Sequence, residues 1–223
     1  VDDEAATEPV QQSAPFDQLG LSAAMLTTVG EMGFSVATPI QAGAIPLALQ
    51  GRDVIGQAHT GSGKTAAFGI PIIEQLDPRN GPVQALVLCP TRELAVQVHD
   101  EITVLAARHE ISSVAIYGGD SMARQLEALR AGAHIVVATP GRLADHIQRR
   151  SLTLDNVRFA VLDEADRMLD MGFAPDVEKI LRQTPSKRQT MLFSATMPEW
   201  VKRLAMRHMR EPITVAISTR PEI

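Results

Sequence analysis

The sequence predicts an α/β domain in which a central, mostly parallel sheet carries helices on both faces. Short β-branched apolar runs alternate with longer helical patterns along most of the chain. Several of those runs are apolar throughout, such as Ile135–Ala138 and Phe159–Leu162, as expected of strands covered on both faces. A length of 223 residues suits one large domain or two small ones, and no internal repeat divides it.

The elements follow in order. Residues 1–15 are rich in Ala, Gln, Thr, Ser, Pro and acids, with too little apolar surface to offset the entropy of ordering, and are expected to form a flexible acidic leader. Its first residue is Val1, and it has neither the basic start nor the apolar centre of a targeting peptide, so the chain is expected to be an excised fragment. The folded domain should occupy residues 16–223, starting at Phe16. The uncharged run from Met32 to Gly51 is interrupted by Thr38, Pro39, Gln41, Pro46 and Gln50, which makes it a poor membrane span. Strands are expected at Asp53–Gly56, Ala85–Cys89, Val114–Tyr117, Ile135–Ala138, Phe159–Leu162, Met191–Phe193 and Ile213–Val215, with helices between them. Only a short tail follows the last strand, and its Pro221 suits a linker.

Composition excludes several classes. With 45% hydrophobic and 21% charged residues the chain is an ordinary globular protein, neither disordered nor fibrous. A single cysteine, Cys89, rules out an internal disulfide and a cysteine-pair zinc site, favours a reducing, cytoplasmic setting, and reads as a small buried hydrophobe. The six histidines lack metal-ligand spacing. Formal net charge is −5, so nucleic-acid binding would depend on a few placed groups and backbone amides, not on a broad positive field.

The strongest chemical signal is AHTGSGKT, Ala58–Thr65, directly after the first strand and before a helical segment. Gly61 and Gly63 let successive backbone N–H groups turn toward phosphates, and the following helix N-terminus adds its positive end. Lys64 would neutralise phosphate charge, and the Thr65 hydroxyl would hold Mg²⁺. Ala58 stands where the strict pattern has Gly. The second signal is DEAD, Asp163–Asp166, immediately after the apolar strand Phe159–Leu162. There Asp163 would hold Mg²⁺ and Glu164 would orient and deprotonate an attacking water. Acids in the first turn of a helix are also favoured by its dipole, but the preceding phosphate loop makes the chemical reading the better one.

Together with the motifs around them, these residues make the chain resemble the N-terminal RecA-like domain of a DEAD-box ATP-dependent RNA helicase, from Phe16 to the C-terminus. GFSVATPIQ (Gly33–Gln41) resembles the family's adenine-reading Q motif, with Phe16 as its isolated upstream aromatic. AHTGSGKT resembles motif I, PTRELA (Pro90–Ala95) motif Ia, Gly118–Gly119 the GG element, TPGR (Thr139–Arg142) motif Ib, DEAD motif II and SAT (Ser194–Thr196) motif III. DRMLDMGF (Asp166–Phe173) fits the segment that follows motif II. Apart from the phosphate loop each is weak alone, whereas their joint order is highly specific. Ala37 replaces a Pro common in the Q motif, and His59 occupies a loop position that the family varies.

The resemblance implies a RecA-like P-loop NTPase fold. It implies ATP held by Phe16, Phe34, Gln41, Thr60, Gly61, Ser62, Gly63, Lys64 and Thr65, and Mg²⁺ held by Thr65 and Asp163, with Lys64, Asp163 and Glu164 serving hydrolysis. Pro90, Thr91, Arg92, Gly119, Thr139, Gly141 and Arg142 would line an RNA backbone without reading sequence, while Asp166, Ser194 and Thr196 would couple the two halves. It also implies a second RecA-like domain, absent from this chain, that supplies arginine fingers and half of the RNA path, so the isolated chain is expected to be nearly inactive. Two rival readings remain at this level: a P-loop ATPase acting on DNA or protein, and a nucleotide-binding module with no activity of its own.

Overall fold

A computed structural model describes residues 12–216, so the expectations for the outer leader and for Pro221 lie outside the described residues. The chain enters through a two-residue strand, β1 (Ala14–Pro15), paired antiparallel with β2 (Val36–Ala37). The fold is therefore already engaged two residues before the expected boundary at Phe16. Between these strands lies α1 (Ala23–Glu31), and after them α2 (Pro39–Leu49). The uncharged run that is too broken to cross a membrane is explained by α2, whose Ile40, Ala42, Ala44, Ile45 and Ala48 are buried. Among the described residues no helix is long and apolar enough to cross a membrane.

The body alternates strand and helix: β3 (Val54–Gln57), α3 (Lys64–Gln75), β4 (Ala85–Leu88), α4 (Arg92–Leu105), β5 (Ser113–Ile116), α5 (Met122–Arg130), β6 (Ile135–Ala138) and α6 (Pro140–Gln148). Then come β7 (Phe159–Leu162), α7 (Ala165–Asp170), α8 (Ala174–Arg182), β8 (Gln189–Ser194), α9 (Glu199–His208) and β9 (Ile213–Ala216). The seven strands β3 to β9 form one sheet in the order β5-β6-β4-β7-β8-β3-β9, with every pairing parallel. All seven expected strands are present. The one substantial difference is β8, which begins at Gln189 instead of Met191.

Strand alternation assigns the two faces of the core. Val87, Val137, Val161, Met191 and Phe193 pack with Phe68, Ile70, Ile102 and Leu105 of α3 and α4. Their neighbours Leu86, Leu88, Val136, Ala160, Leu162 and Leu192 pack with Leu143, Met168, Val177, Ile180, Val201 and Leu204 on the opposite side. Side chains of period two are thus buried on both faces, which is why the strands carry no polar alternation. With both faces covered, the loops at the strand carboxyl ends are where ligands bind in open sheets of this kind.

Candidate functional site

The phosphate loop leaves β3 and turns into α3. Gly61 and Gly63 have φ of +84° and +83°, the left-handed region where L side chains are strained, and Gly63 caps α3 directly before Lys64. A Cβ at Gly63 would overlap Gln41 Nε2, so glycine is required there by contact as well as by conformation. The loop is braced from the N-terminal side. The Thr38 hydroxyl donates to Ser62 O at 2.9 Å, Gln41 Nε2 donates to Gly63 O at 3.0 Å, and Gln41 Oε1 accepts the Thr38 N–H at 2.9 Å. The Q-motif glutamine is therefore a strut of the phosphate loop.

β7 ends beside this loop and delivers two acids. Asp163 is fully buried, and Lys64 Nζ lies 3.0 Å from its Oδ1. That ion pair lacks hydrogen-bond geometry, which leaves both Asp163 oxygens without a donor. Burial pushes the Asp163 carboxyl up to about 6, against the pull of Lys64. Glu164 has φ of +53°, uncommon for a side-chain-bearing residue, and its carboxylate is fully engaged. Oε1 accepts from the Thr60 hydroxyl at 2.8 Å and from Lys64 Nζ at 3.1 Å, while Oε2 accepts from Arg167 at 2.7 Å. Burial raises its pKa, but these three donors outweigh burial and hold it below the usual range.

A cleft of about 370 Å³ opens onto this cluster. Its walls include Phe34, Thr38, Gln41, Thr60, Gly61, Gly63, Lys64, Thr65 and, from α4, Leu94, Gln97 and Glu101. Phe16 is not on this wall: it is 4% exposed and stacks behind Phe34, with ring centroids 6.3 Å apart. The structure thus brings Phe34, not Phe16, to the cleft. Glu101 faces it from α4, its pKa raised by burial despite the opposing Thr65 hydroxyl.

The other expected residues occupy the far half of the same edge. Pro90, Thr91 and Arg92 follow β4, Gly118–Gly119 follow β5, and Thr139, Gly141 and Arg142 follow β6. Since β5, β6 and β4 are neighbours, these loops lie side by side. Pro90 and Thr139 are buried, whereas Arg92 and Gly119 are exposed. The Thr91 hydroxyl caps α4 by accepting the Leu94 N–H, and the Arg92 guanidinium sits 5.0 Å above the Tyr117 ring. Arg142 donates to Asp120 O at 3.1 Å and to Gln125 Oε1 at 3.2 Å.

Between the halves, Asp166 joins α7 to the end of β8. Its N–H donates to Ser194 Oγ at 3.1 Å, and its Oδ2 accepts from the Thr196 N–H at 2.9 Å and the Thr196 hydroxyl at 2.8 Å. Burial raises Asp166, but the Thr196 donors outweigh it and lower the pKa. The expected contact between the hydroxyls and the acidic motif is present, and its acid is the last one, Asp166. Cys89 is fully buried with its thiol pKa raised by burial, as a small hydrophobe in the sheet.

Sequence reasoning missed two residues. Arg167 sits one turn beyond Glu164 and occupies its second oxygen. Gln125, 2% exposed on α5, donates to Tyr117 O at 2.9 Å while its Oε1 receives both Arg142 and His146 Nε2. Only its burial, invisible in sequence, marks it.

A parallel α/β sheet with a phosphate loop after one strand and buried acids after another, both at the carboxyl edge, defines a P-loop nucleotide-binding domain. The chain belongs to the DEAD/DEAH box helicase family, whose model matches residues 38–204. It is 52% identical over 205 residues to the DEAD-box ATP-dependent RNA helicase CshA of Geobacillus kaustophilus, covering 92% of this chain and 44% of that protein. It is 50% identical to the ATP-dependent RNA helicase CshA of Listeria monocytogenes, covering 92% of this chain and 39% of that protein. The crystal structure of a DEAD box protein from the hyperthermophile Methanococcus jannaschii superposes with a TM-score of 0.86 at 46% identity, covering 90% of this chain and 56% of that one. The chain thus spans less than half the length of these two curated relatives.

Proposed function

We propose that this chain is the ATP- and RNA-binding RecA-like domain of an ATP-dependent RNA helicase, acting with a second RecA-like domain to couple ATP hydrolysis to RNA remodelling in the cytoplasm. The observation that carries this reading is the convergence of Lys64, Asp163 and Glu164 at the phosphate loop, on the same sheet edge as the loops after β4, β5 and β6. The residues fit the implied groups. Two glycines and a helix N-terminus suit phosphates, and the oxygens of buried Asp163, which accept no hydrogen bond, with Thr65 in the first turn of α3, suit a hard divalent cation. Mg²⁺ would supply charge neutralisation at the transferring phosphate, and ATP the phosphoanhydride.

The chain's own groups do the rest. Lys64, now held between two acids, exchanges that partner for phosphate oxygens. Release of Oε1 from Thr60 and Lys64 frees Glu164 to accept a proton from water. Arg92 and Arg142 meet RNA phosphates, and the glycines beside them permit close approach without base contacts. The rivals, an ATPase on DNA or protein and an inactive binding module, do not account for relatives named as RNA helicases. In the intact protein, Glu164→Gln should retain ATP binding and lose RNA-stimulated phosphate release by about 10²-fold or more. Turnover at the wild-type rate would remove Glu164 from the role of base, and stimulation by duplex DNA in place of RNA would overturn the substrate assignment.

A further inference from the structure

The largest cleft among the principal cavities of the described residues lies at the opposite edge of the sheet from the phosphate loop. It measures about 580 Å³ and opens where β4, β7 and β8 begin. Four cations line it: Arg158, Lys187, Arg188 and Arg210. Among the described residues none of the four has a carboxylate within ion-pair distance. Arg158, Lys187 and Arg210 are exposed at the mouth, and Arg188 is only 7% exposed in the floor.

Arg188 is held there by carbonyl oxygens alone, donating to Pro185 O at 3.3 Å and His208 O at 3.1 Å, with Nε unpartnered. The acid behind the floor, Asp53, already accepts the backbone N–H groups of Thr190 and Arg210. Asp53 offsets part of the Arg188 charge from longer range, but with no ion pair formed the buried guanidinium keeps a positive field, and the low-dielectric floor directs that field into the cleft. One rim acid, Asp155, does not reverse the sign. The protein as a whole is acidic, so this local reversal is not a by-product of composition.

We propose that this cleft is a second anion site that takes an oligophosphate group. Several cations around one mouth favour a ligand carrying several charges, and guanidinium groups match phosphate oxygens. Fully buried Gln84 lines the same cleft with its Oε1 unpaired. That acceptor gains nothing from a carboxylate, whereas a protonated phosphate or a ribose hydroxyl can donate to it. The phosphates could come from a free polyphosphate or from a 5′-phosphorylated RNA end.

The test is an amide-resolved NMR titration of this chain, saturated with ADP to occupy the phosphate loop, using sodium tripolyphosphate. Shifts are expected at Gln84, Arg158, Lys187, Arg188 and Arg210, with affinity falling by at least about tenfold in the Arg158→Glu/Lys187→Glu double variant. ADP affinity of that variant should match wild type, with a melting temperature lowered only by loss of the Arg158 bond to Gln75 O at 3.1 Å. A 5′-triphosphorylated octanucleotide that competes, where its 5′-hydroxyl counterpart does not, would name an RNA end as the source; tripolyphosphate binding without such competition would name the free anion. Shifts confined to residues 61–65, equal affinity in the double variant, or equally tight binding of an oligoglutamate peptide would overturn the proposal.

Discussion

Gln41 offers the sharpest separation of two roles in one side chain. It is 4% exposed, and each end of its amide is already spent once, on the Thr38 N–H and on Gly63 O. A primary amide has two donors and two acceptor sites, so one N–H and one lone pair remain for the edge of a base. Gln41→Ala deletes both internal bonds and the base-facing pair together. Only the bond to Gly63 O reaches the phosphate loop, so at about 1 kcal/mol net per hydrogen bond it braces that loop by about fivefold in affinity for any ligand that needs it. A two-point contact with adenine adds about 1–3 kcal/mol of discrimination against guanine. Calorimetric titration of pyrophosphate, ADP and GDP into wild type and variant separates the terms, because pyrophosphate has no base. Pyrophosphate should weaken by about fivefold, and the ratio of ADP to GDP affinity should fall toward unity. Unchanged pyrophosphate affinity would refute the strut, and an unchanged ADP to GDP ratio would refute adenine reading.

Two further outcomes follow from the buried polar groups. Burial raises the Asp163 carboxyl from 3.8 to about 6, so the stability this group contributes is complete below the unfolded value and is lost as pH rises through 6. In metal-free buffer Asp163→Asn should therefore melt above wild type at pH 8, by an amount on the order of 3 kcal/mol, and the gap should close toward pH 4; a gap independent of pH would contradict the assignment. Gln125→Ala leaves Arg142 with Asp120 O as its remaining partner and strands His146 Nε2, which must carry the proton it gives to Gln125. RNA affinity should fall about tenfold with ADP affinity unchanged, and a parallel loss of both would indicate general destabilisation instead of loss of Arg142 positioning.

Legibility in the sequence tracks the range of the interactions. The central strands β4, β6 and β7 could be read because burial on both faces makes each an uninterrupted apolar run, a local property. The start of β8 could not, because Gln189 and Thr190 are polar and yet buried. Gln189 Nε2 donates to Ala48 O and Arg52 O, and the Thr190 N–H donates to Asp53, partners some 137 to 141 positions away that no local pattern reveals. Phe16 illustrates the converse. The resemblance implies that Phe16 helps hold ATP, and the β1–β2 pairing sets its ring behind Phe34, which lines the cleft.

The site itself was readable for a topological reason. Chain order places the phosphate loop after β3 and the acids after β7, but β7 and β8 insert between β3 and β4 in the sheet. That insertion closes a separation of 100 residues to the 3.1 Å contact between Lys64 and Glu164. It also leaves β8 between the nucleotide strand and the acid strand, so that Ser194 and Thr196, at and just past its end, reach Asp166. β4, β6 and β5 are displaced together to one side, which gathers Arg92, Gly119 and Arg142 away from the phosphate loop yet on the same edge. Each segment can be read singly because its residues suit one task. Their division into two groups of loops along one sheet edge is a property of strand order, which local sequence does not encode.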